Sequence, residues 1–399
     1  MIRPNHFPDS VPEPYRPLAK LLQEMGEENR CYDGNSLEII TSGLRKRDLL
    51  LEDIRQARSF IHIEYFRFGN DKGGREVRDL LIQKAAEGVE VRFLNNNWSG
   101  VVAIPNSYWK PLIDAGAEII PFTHIRHGVR KWLYRINHQQ HRKVVVIDGQ
   151  VAYTGGMNLN DNYFYRWRDT HMRITGPVVA GLNASFMESW RASGGRFCYP
   201  EEHYFPQPAA QEAPFKNQLL QLVSDSPENP ASAMLAAYEW ILDNAQDYVY
   251  LQTPYFIPPK SLVAAMGRAV KRGVDVRLML PKDVDTPLLG PSNRTYYAEC
   301  LAAGVRVGER GGTIIHSKTL VADDGISIIG ASNLDPRSFY VNYEINTLNY
   351  GRDAALYCKQ LFLSDAQLLK EWTLPEWKRG RRWYHTVFSW VVRLFAPVL

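Results

Sequence analysis

Cysteine is scarce in this sequence, with four in 399 residues. Cys31, Cys198, Cys300 and Cys358 lie far apart and form no CxxC pair. Neither a zinc site nor a disulfide framework is expected from such spacing, and a reducing compartment fits it. Long apolar runs are also missing. No stretch reaches the ~18 to 20 apolar residues that span a bilayer. The N-terminus, Met1-Ile-Arg-Pro-Asn-His-Phe-Pro, has no apolar core of signal-peptide length, so any membrane contact is expected to be peripheral. Charge of one sign is lacking too: 47 basic residues face 43 acidic ones, for a net charge of +4. That balance argues against a nucleic-acid partner. What is present is a composition of 45% hydrophobic and 23% charged residues, which excludes disorder and a multi-span membrane protein. The length suits two domains, each with its own core.

An internal repeat of about half the chain organises the sequence. One segment runs His141-Arg-Lys143 to Asp148, then Gly155-Gly156-Met-Asn158. The other runs His316-Ser-Lys318 to Asp323, then Gly330-Ala331-Ser-Asn333. Lysine, aspartate, glycine and asparagine recur in register without a gap, and an acid follows in both copies, Asp169 and Glu344. At average residue frequencies the chance of this coincidence is on the order of 10⁻⁴ or less. The flanks repeat as well. A strand-like run from Ile61 precedes a helix candidate (Val77 to Ala86) and a strand from Gly88. In the second copy, a run from Tyr248 precedes a helix candidate (Pro259 to Arg272) and a strand from Gly273. Strand, helix and strand in that order imply crossover units. The predicted fold is therefore α/β: two homologous domains, each a mixed sheet flanked by helices, related by a pseudo-two-fold axis. The expected boundaries are an N-terminal segment 1–35, domains 36–205 and 206–372, and a tail 373–399. The interdomain break is placed in the proline-rich stretch Pro200 to Pro214.

The spacing carries chemistry. In a strand, residues i and i+2 share a face, so His141 with Lys143, and His316 with Lys318, present imidazole and ammonium together. The dipeptides Asp148-Gly149 and Asp324-Gly325 read as hairpin turns, which return each asparagine beside its histidine. A phosphodiester displacement needs an in-line nucleophile, an acid for the leaving oxygen and positive charge on the remaining phosphate oxygens. Two copies supply all three. One neutral imidazole attacks phosphorus while the opposite imidazolium protonates the departing alcohol; the roles then reverse for the incoming alcohol. Lys143, Lys318, Asn158 and Asn333 are expected to hold phosphate, with no metal and no cofactor. An imidazole attacks through one nitrogen only when the other keeps its proton. Asp169 and Glu344 are the candidates for that orienting role, with their pairing left open. Asp148 and Asp323, the acids of the motif, read first as turn chemistry. Glu64 and Asp285 lie near strand ends where substrate could approach but read first as solvated surface, and His62, His203 and His385 read as structural or surface histidines.

HxKxxxxD followed by a glycine-rich turn and asparagine, present twice, resembles the signature of the phospholipase D superfamily. Asn333-Leu-Asp-Pro-Arg-Ser-Phe, Thr253-Pro-Tyr-Phe, Trp167-Arg-Asp-Thr-His and Asn342-Tyr-Glu-Ile-Asn346 resemble its bacterial cardiolipin synthase branch. The resemblance covers roughly residues 40 to 370. It implies two phospholipase D-like domains and a catalytic set of His141, Lys143, Asp148, His316, Lys318 and Asp323, with His141 as nucleophile. It also implies condensation of two phospholipids, phosphatidylglycerol as donor, with phosphatidylglycerol or phosphatidylethanolamine as the second lipid. The family often has serine after the motif glycine, where this chain has Gly156 and Ala331. Hydrolysis of phospholipid or nucleic acid is the alternative outcome of the same chemistry, and a membrane-binding module without activity the alternative from another class. Lys378-Arg-Gly-Arg-Arg382 followed by the apolar run from Trp383, with His385, Ser389 and Arg393 as a polar stripe, reads as an interfacial helix on an anionic bilayer, with packing on the protein as a final core helix the alternative. The segment His124 to Arg142 reads either as a second surface contact or as a lining of the active-site entrance. The implied location is the cytoplasmic face of the cell membrane.

Overall fold

The computed structural model describes residues 9–96, 104–122, 138–209, 212–286 and 289–380. The first half contributes β1 (Cys31–Ile40), β2 (Phe60–Tyr65), β3 (Glu90–Asn95), β4 (Glu118–Pro121), β5 (Lys143–Ile147), β6 (Val151–Gly155) and β7 (His171–Thr175). The second contributes β8 (Phe215–Asp225), β9 (Tyr248–Gln252), β10 (Asp275–Pro281), β11 (Arg306–Arg310), β12 (Thr319–Ala322), β13 (Ile326–Gly330), β14 (Glu344–Asn349) and β15 (Leu369–Trp372). Their spatial order is β15-β11-β10-β9-β12-β13-β14-β8-β1-β7-β6-β5-β2-β3-β4. Read outward from the β8–β1 pair, the two halves follow one order, with β15 an added edge strand. The pseudo-two-fold therefore passes between β1 and β8, and the two expected sheets are joined there into one.

Local sequence explains the strands. Lys143-Val-Val-Val-Ile147 is buried along its whole length, the near-continuous apolar pattern of a strand covered on both faces. β2, β3 and β4 run parallel, linked by the helices Lys72–Ala86 and Asn106–Asp114. The first of these starts five residues before the expected Val77, because Asp71 accepts a hydrogen bond from Gly74 N and caps it. Its counterpart Lys260–Lys271 begins directly after Pro259. The helices after β1 and β8 are capped alike, by Ser42 and Ser232.

Three apolar clusters hold the molecule. Two lie on the outer faces, one per half. The third combines both halves, packing Phe186 and Trp190 of helix Val178–Ala192 with Ile345, Ala355 and Phe362 around the seam. Truncating a buried aromatic costs about 3–5 kcal/mol, whereas an exposed ion pair contributes about 0–1 kcal/mol, so apolar burial dominates the joint. The expected N-terminal segment is not separate. Helix Arg16–Met25 buries Leu18, Ala19 and Leu22 in the outer core of the second half, and β1 begins at Cys31, ahead of the expected boundary at 36. The start of the expected tail is likewise docked: Trp377, on helix Leu374–Gly380, packs against Tyr297 at 4.9 Å between ring centroids. The basic and apolar run 381–399, with His385, lies outside the described residues, as does 124–137 of the second contact segment. Among the described residues no helix is long and apolar enough to cross a membrane.

The motif aspartates Asp148 and Asp323 sit at the far ends of the strands from the histidines. Asp148 accepts from the backbone N–H groups of Arg58, Ser59 and Phe60 at 2.8, 2.8 and 2.9 Å. Asp323 does the same for Gln246, Asp247 and Tyr248 at 2.7, 3.0 and 3.0 Å. Asp148 and Gly149 both have positive φ, at 52° and 62°, as the central residues of a type I′ turn require. In the second copy the left-handed pair is Asp323 and Asp324, at 49° and 52°, one residue before the expected Asp324-Gly325. Each motif aspartate thus ties its hairpin to the start of β2 or β9. Asp148→Ala is expected to lower stability by about 2 kcal/mol, since charged hydrogen bonds to backbone are lost. Turnover per folded molecule should stay within about threefold, which thermal unfolding and activity on the same sample would check; a large fall in turnover at unchanged stability would contradict this placement.

Candidate active site

The histidines enter their strands beside the opposite half of the chain. His141 N donates to Tyr343 O at 2.9 Å and Tyr343 N to Gln139 O at 2.9 Å. Symmetrically, His316 N donates to Arg168 O at 2.7 Å and Arg168 N to Ile314 O at 2.9 Å. Each of these bridges puts the next residue, an acid, against the histidine of the other repeat. The pairing left open by the sequence is therefore crossed. His141 Nδ1 lies 2.8 Å from Glu344 Oε1, and His316 Nδ1 lies 3.1 Å from Asp169 Oδ2. Both rings line one pocket of about 180 Å³. With Nδ1 engaged, Nε2 is the nitrogen left for substrate.

The lysines lie deeper than expected. Lys143 and Lys318 are buried; Lys143 Nζ donates to the carbonyl of His141 at 2.8 Å, and Lys318 Nζ donates to that of His316. Neither lines the pocket surface, so each supplies positive potential from behind its histidine. Asn158 and Asn333 do line the pocket. Asn158 Oδ1 accepts from Arg67 N at 3.1 Å, which leaves its amide hydrogens unused by that bond. A Cβ on Gly156 would stand 2.2 Å from Asp169 Oδ1. Glycine at that position is what lets the orienting carboxylate approach.

Burial and charge set the protonation states. Burial, reinforced by Lys143 and Lys318, pushes His141 well below the usual imidazole range, so it is neutral. His316 is pushed down to about 4 by burial and Lys318, against the pull of Asp169. Burial lowers Lys143 to about 7 and Lys318 to about 8. The two acids differ. Burial raises Glu344 to about 7 although Lys143 opposes it. Burial also works to raise Asp169, but Lys318 and His316 outweigh it and hold the carboxyl below its usual range.

Other wall residues were not assigned to the site from the sequence. Phe66, Arg67, Tyr163, Tyr255, Asp285 and Arg337 join the pocket. Tyr255 and Arg337 fall in segments singled out by resemblance; Arg67 carried no signal beyond standing where Tyr255 stands in the other repeat. Asp285 and Glu64 correct the solvated-surface reading. Asp285 faces the pocket. Glu64 is fully buried, raised to about 7 by burial, and hydrogen-bonded by Gln140. His62 is structural, with Nδ1 2.7 Å from Asn183 Oδ1 and its ring stacked on Phe186. His203 packs on Tyr199 near the domain break.

The two halves that meet over this pocket each match a phospholipase D-like domain, which places the chain in that superfamily. Residues 50–190 and 239–366 match the family described as cardiolipin synthase, PLD-like domain, and the chain belongs to that family. Cardiolipin synthase 2 of Bacillus anthracis is 32% identical over 96% of this chain and 74% of its own length. The major cardiolipin synthase of Bacillus subtilis is 33% identical over 92% of this chain and 76% of its own. Among solved structures, phosphatidylserine synthase of Haemophilus influenzae superposes with a TM-score of 0.67 at 16% identity, covering 96% of this chain and 100% of that one. The fold is shared with that protein.

Proposed function

We propose that this enzyme transfers a phosphatidyl group from one phosphatidylglycerol to a hydroxyl of a second, through a phosphohistidine, and releases glycerol. The crossed dyads carry the reading: each ring is held through Nδ1 by a carboxylate from the other repeat, and both line one pocket. His141 Nε2 attacks phosphorus; the P–N bond forms as the P–O bond to glycerol breaks, and His316 gives its proton to the departing oxygen. His316 then takes the proton of the incoming hydroxyl as the new P–O bond forms and P–N breaks. The unequal acids favour this division of labour. Both rings rest neutral, but Asp169 pulls His316 back up against burial and Lys318, so His316 is the ring suited to take up and hand on a proton. The charges on His141 all act downward and suit it to be a nucleophile. Lys143, Lys318, Asn158 and Asn333 are assigned to the charge on the phosphate oxygens. Acid–base work of this kind contributes about 10²–10⁴-fold each.

Phosphatidylethanolamine is the alternative second lipid, and the basic tail is assigned to docking on an anionic bilayer at its cytoplasmic face. The test is incubation with phosphatidylglycerol vesicles in EDTA, with lipids resolved by mass spectrometry. Cardiolipin with free glycerol is the expected product. Phosphatidic acid alone would make the enzyme a hydrolase, and an unchanged lipid pool would sink the lipid reading.

A further inference from the structure

The pocket is two-fold in its dyads but not in its walls. One residue before the matching bridges of Phe68 with Leu159 and Phe256 with Leu334, the first half offers Arg67 and the second half Tyr255, both on the pocket. Arg67 Nε is buried and has no partner, and its charge acts on His141 and Lys143. The opposite wall is acidic. The Tyr255 ring stands edge-on to His316, 5.8 Å between centroids at 89°. Its hydroxyl donates to Asp285 Oδ1, and Thr286 Oγ1 donates to the same oxygen at 3.4 Å. Among the described residues no donor reaches Oδ2. Asp285 therefore presents an unused carboxylate oxygen on the His316 side of the pocket.

The chemistry proposed above fixes what occupies that side. In-line displacement puts the leaving alcohol opposite His141 and beside His316, which protonates it. The attacking alcohol enters at the same place, since it gives its proton to His316. For phosphatidylglycerol both alcohols are glycerols. Each offers a further hydroxyl besides the oxygen that bonds to phosphorus, and a hydroxyl is a donor that a carboxylate oxygen accepts. We infer that Asp285, positioned by Tyr255 and Thr286, is the specificity-determining residue for the alcohol, its Oδ2 accepting a hydrogen bond from a second hydroxyl of the glycerol headgroup. A monohydric alcohol leaves that oxygen unpaired, the situation that sites built for hydrogen bonding reject most strongly.

This inference rests on the transferase reading, and one competition separates the two. Phosphatidylglycerol vesicles are incubated with equimolar ¹³C-labelled glycerol and 1-propanol, and labelled phosphatidylglycerol and phosphatidylpropanol are measured. Both products come from one phosphohistidine, so their ratio is independent of the donor step and of the folded fraction. The wild type is expected to favour glycerol by about a hundredfold or more. Asp285→Asn should cut that preference at least tenfold, and Tyr255→Phe should cut it less. An unchanged ratio in Asp285→Asn, whatever the total turnover, would overturn the assignment while leaving the transferase intact. A wild type that makes cardiolipin but neither phosphatidyl-alcohol would overturn the assignment alone, and one that makes no phosphatidyl-transfer product at all, cardiolipin included, would remove the transferase reading and this inference with it.

Discussion

Replacing His141 with alanine is expected to abolish cardiolipin formation, by about a thousandfold or more, and to abolish the covalent intermediate with it. Replacing His316 should cost as much with phosphatidylglycerol but for a different reason, and a donor with an acidic leaving group separates them. A phosphatidyl ester of p-nitrophenol needs no proton to depart. His316→Ala should therefore release one equivalent of nitrophenol in a burst and then stall as phosphatidyl-His141, because no base remains to activate the second alcohol. His141→Ala should give no burst with either donor. The basis is the contrast in environment: the charges around His141 all disfavour its protonation, whereas Asp169 favours protonation of His316 against burial and Lys318. A burst in His141→Ala and none in His316→Ala would exchange the two roles. Equal bursts in both would mean either imidazole can attack, and the walls would then contribute nothing to direction.

Much of this site was legible because duplication writes its own control. His141 and His316 would each pass as ordinary strand histidines; only their repetition in register separated them from His62, which is as buried and packs between Asn183 and Phe186. The fold followed from the same repeat, since strand, helix and strand recur from Ile61 and from Tyr248. What stayed hidden depends on contacts between distant segments. The crossed pairing of acids arises from two backbone bridges between halves, Gln140 with Tyr343 and Arg168 with Ile315, and no local pattern encodes those. Asp285 read as surface because an acid after a strand is usually solvated. Its direction depends on Tyr255, thirty residues earlier in the chain. Residues 1–35 stand apart in the sequence because they lie outside the repeat, and only the fold shows helix Arg16–Met25 covering the core of the second half.

The crossed acids supply the second large effect. Asp169→Asn and Glu344→Gln keep shape but replace an acceptor-only carboxylate by an amide that can donate to Nδ1, favouring the wrong tautomer. Comparable changes beside a catalytic histidine cost about 10⁴-fold, so a loss of at least about a hundredfold with phosphatidylglycerol is expected for each. The step affected should follow the pairing across the seam, not the half in which the acid resides. Glu344→Gln, in the second repeat, should suppress the nitrophenol burst, since Glu344 holds the His141 ring at 2.8 Å. Asp169→Asn, in the first repeat, should retain the burst and lose later turnover, since Asp169 holds His316. Stability offers an independent readout of opposite sign. Glu344 is raised in the fold, so the folded state binds its proton more tightly than the unfolded chain, and stability is lost as pH rises toward 7. Asp169 is lowered, so its ionised form adds stability above the usual carboxylate range and loses it as pH falls. Above pH 7, Glu344→Gln should therefore melt higher than wild type and Asp169→Asn lower. Both melting lower, with bursts lost equally, would mean the two acids serve the seam as a whole and not one ring each.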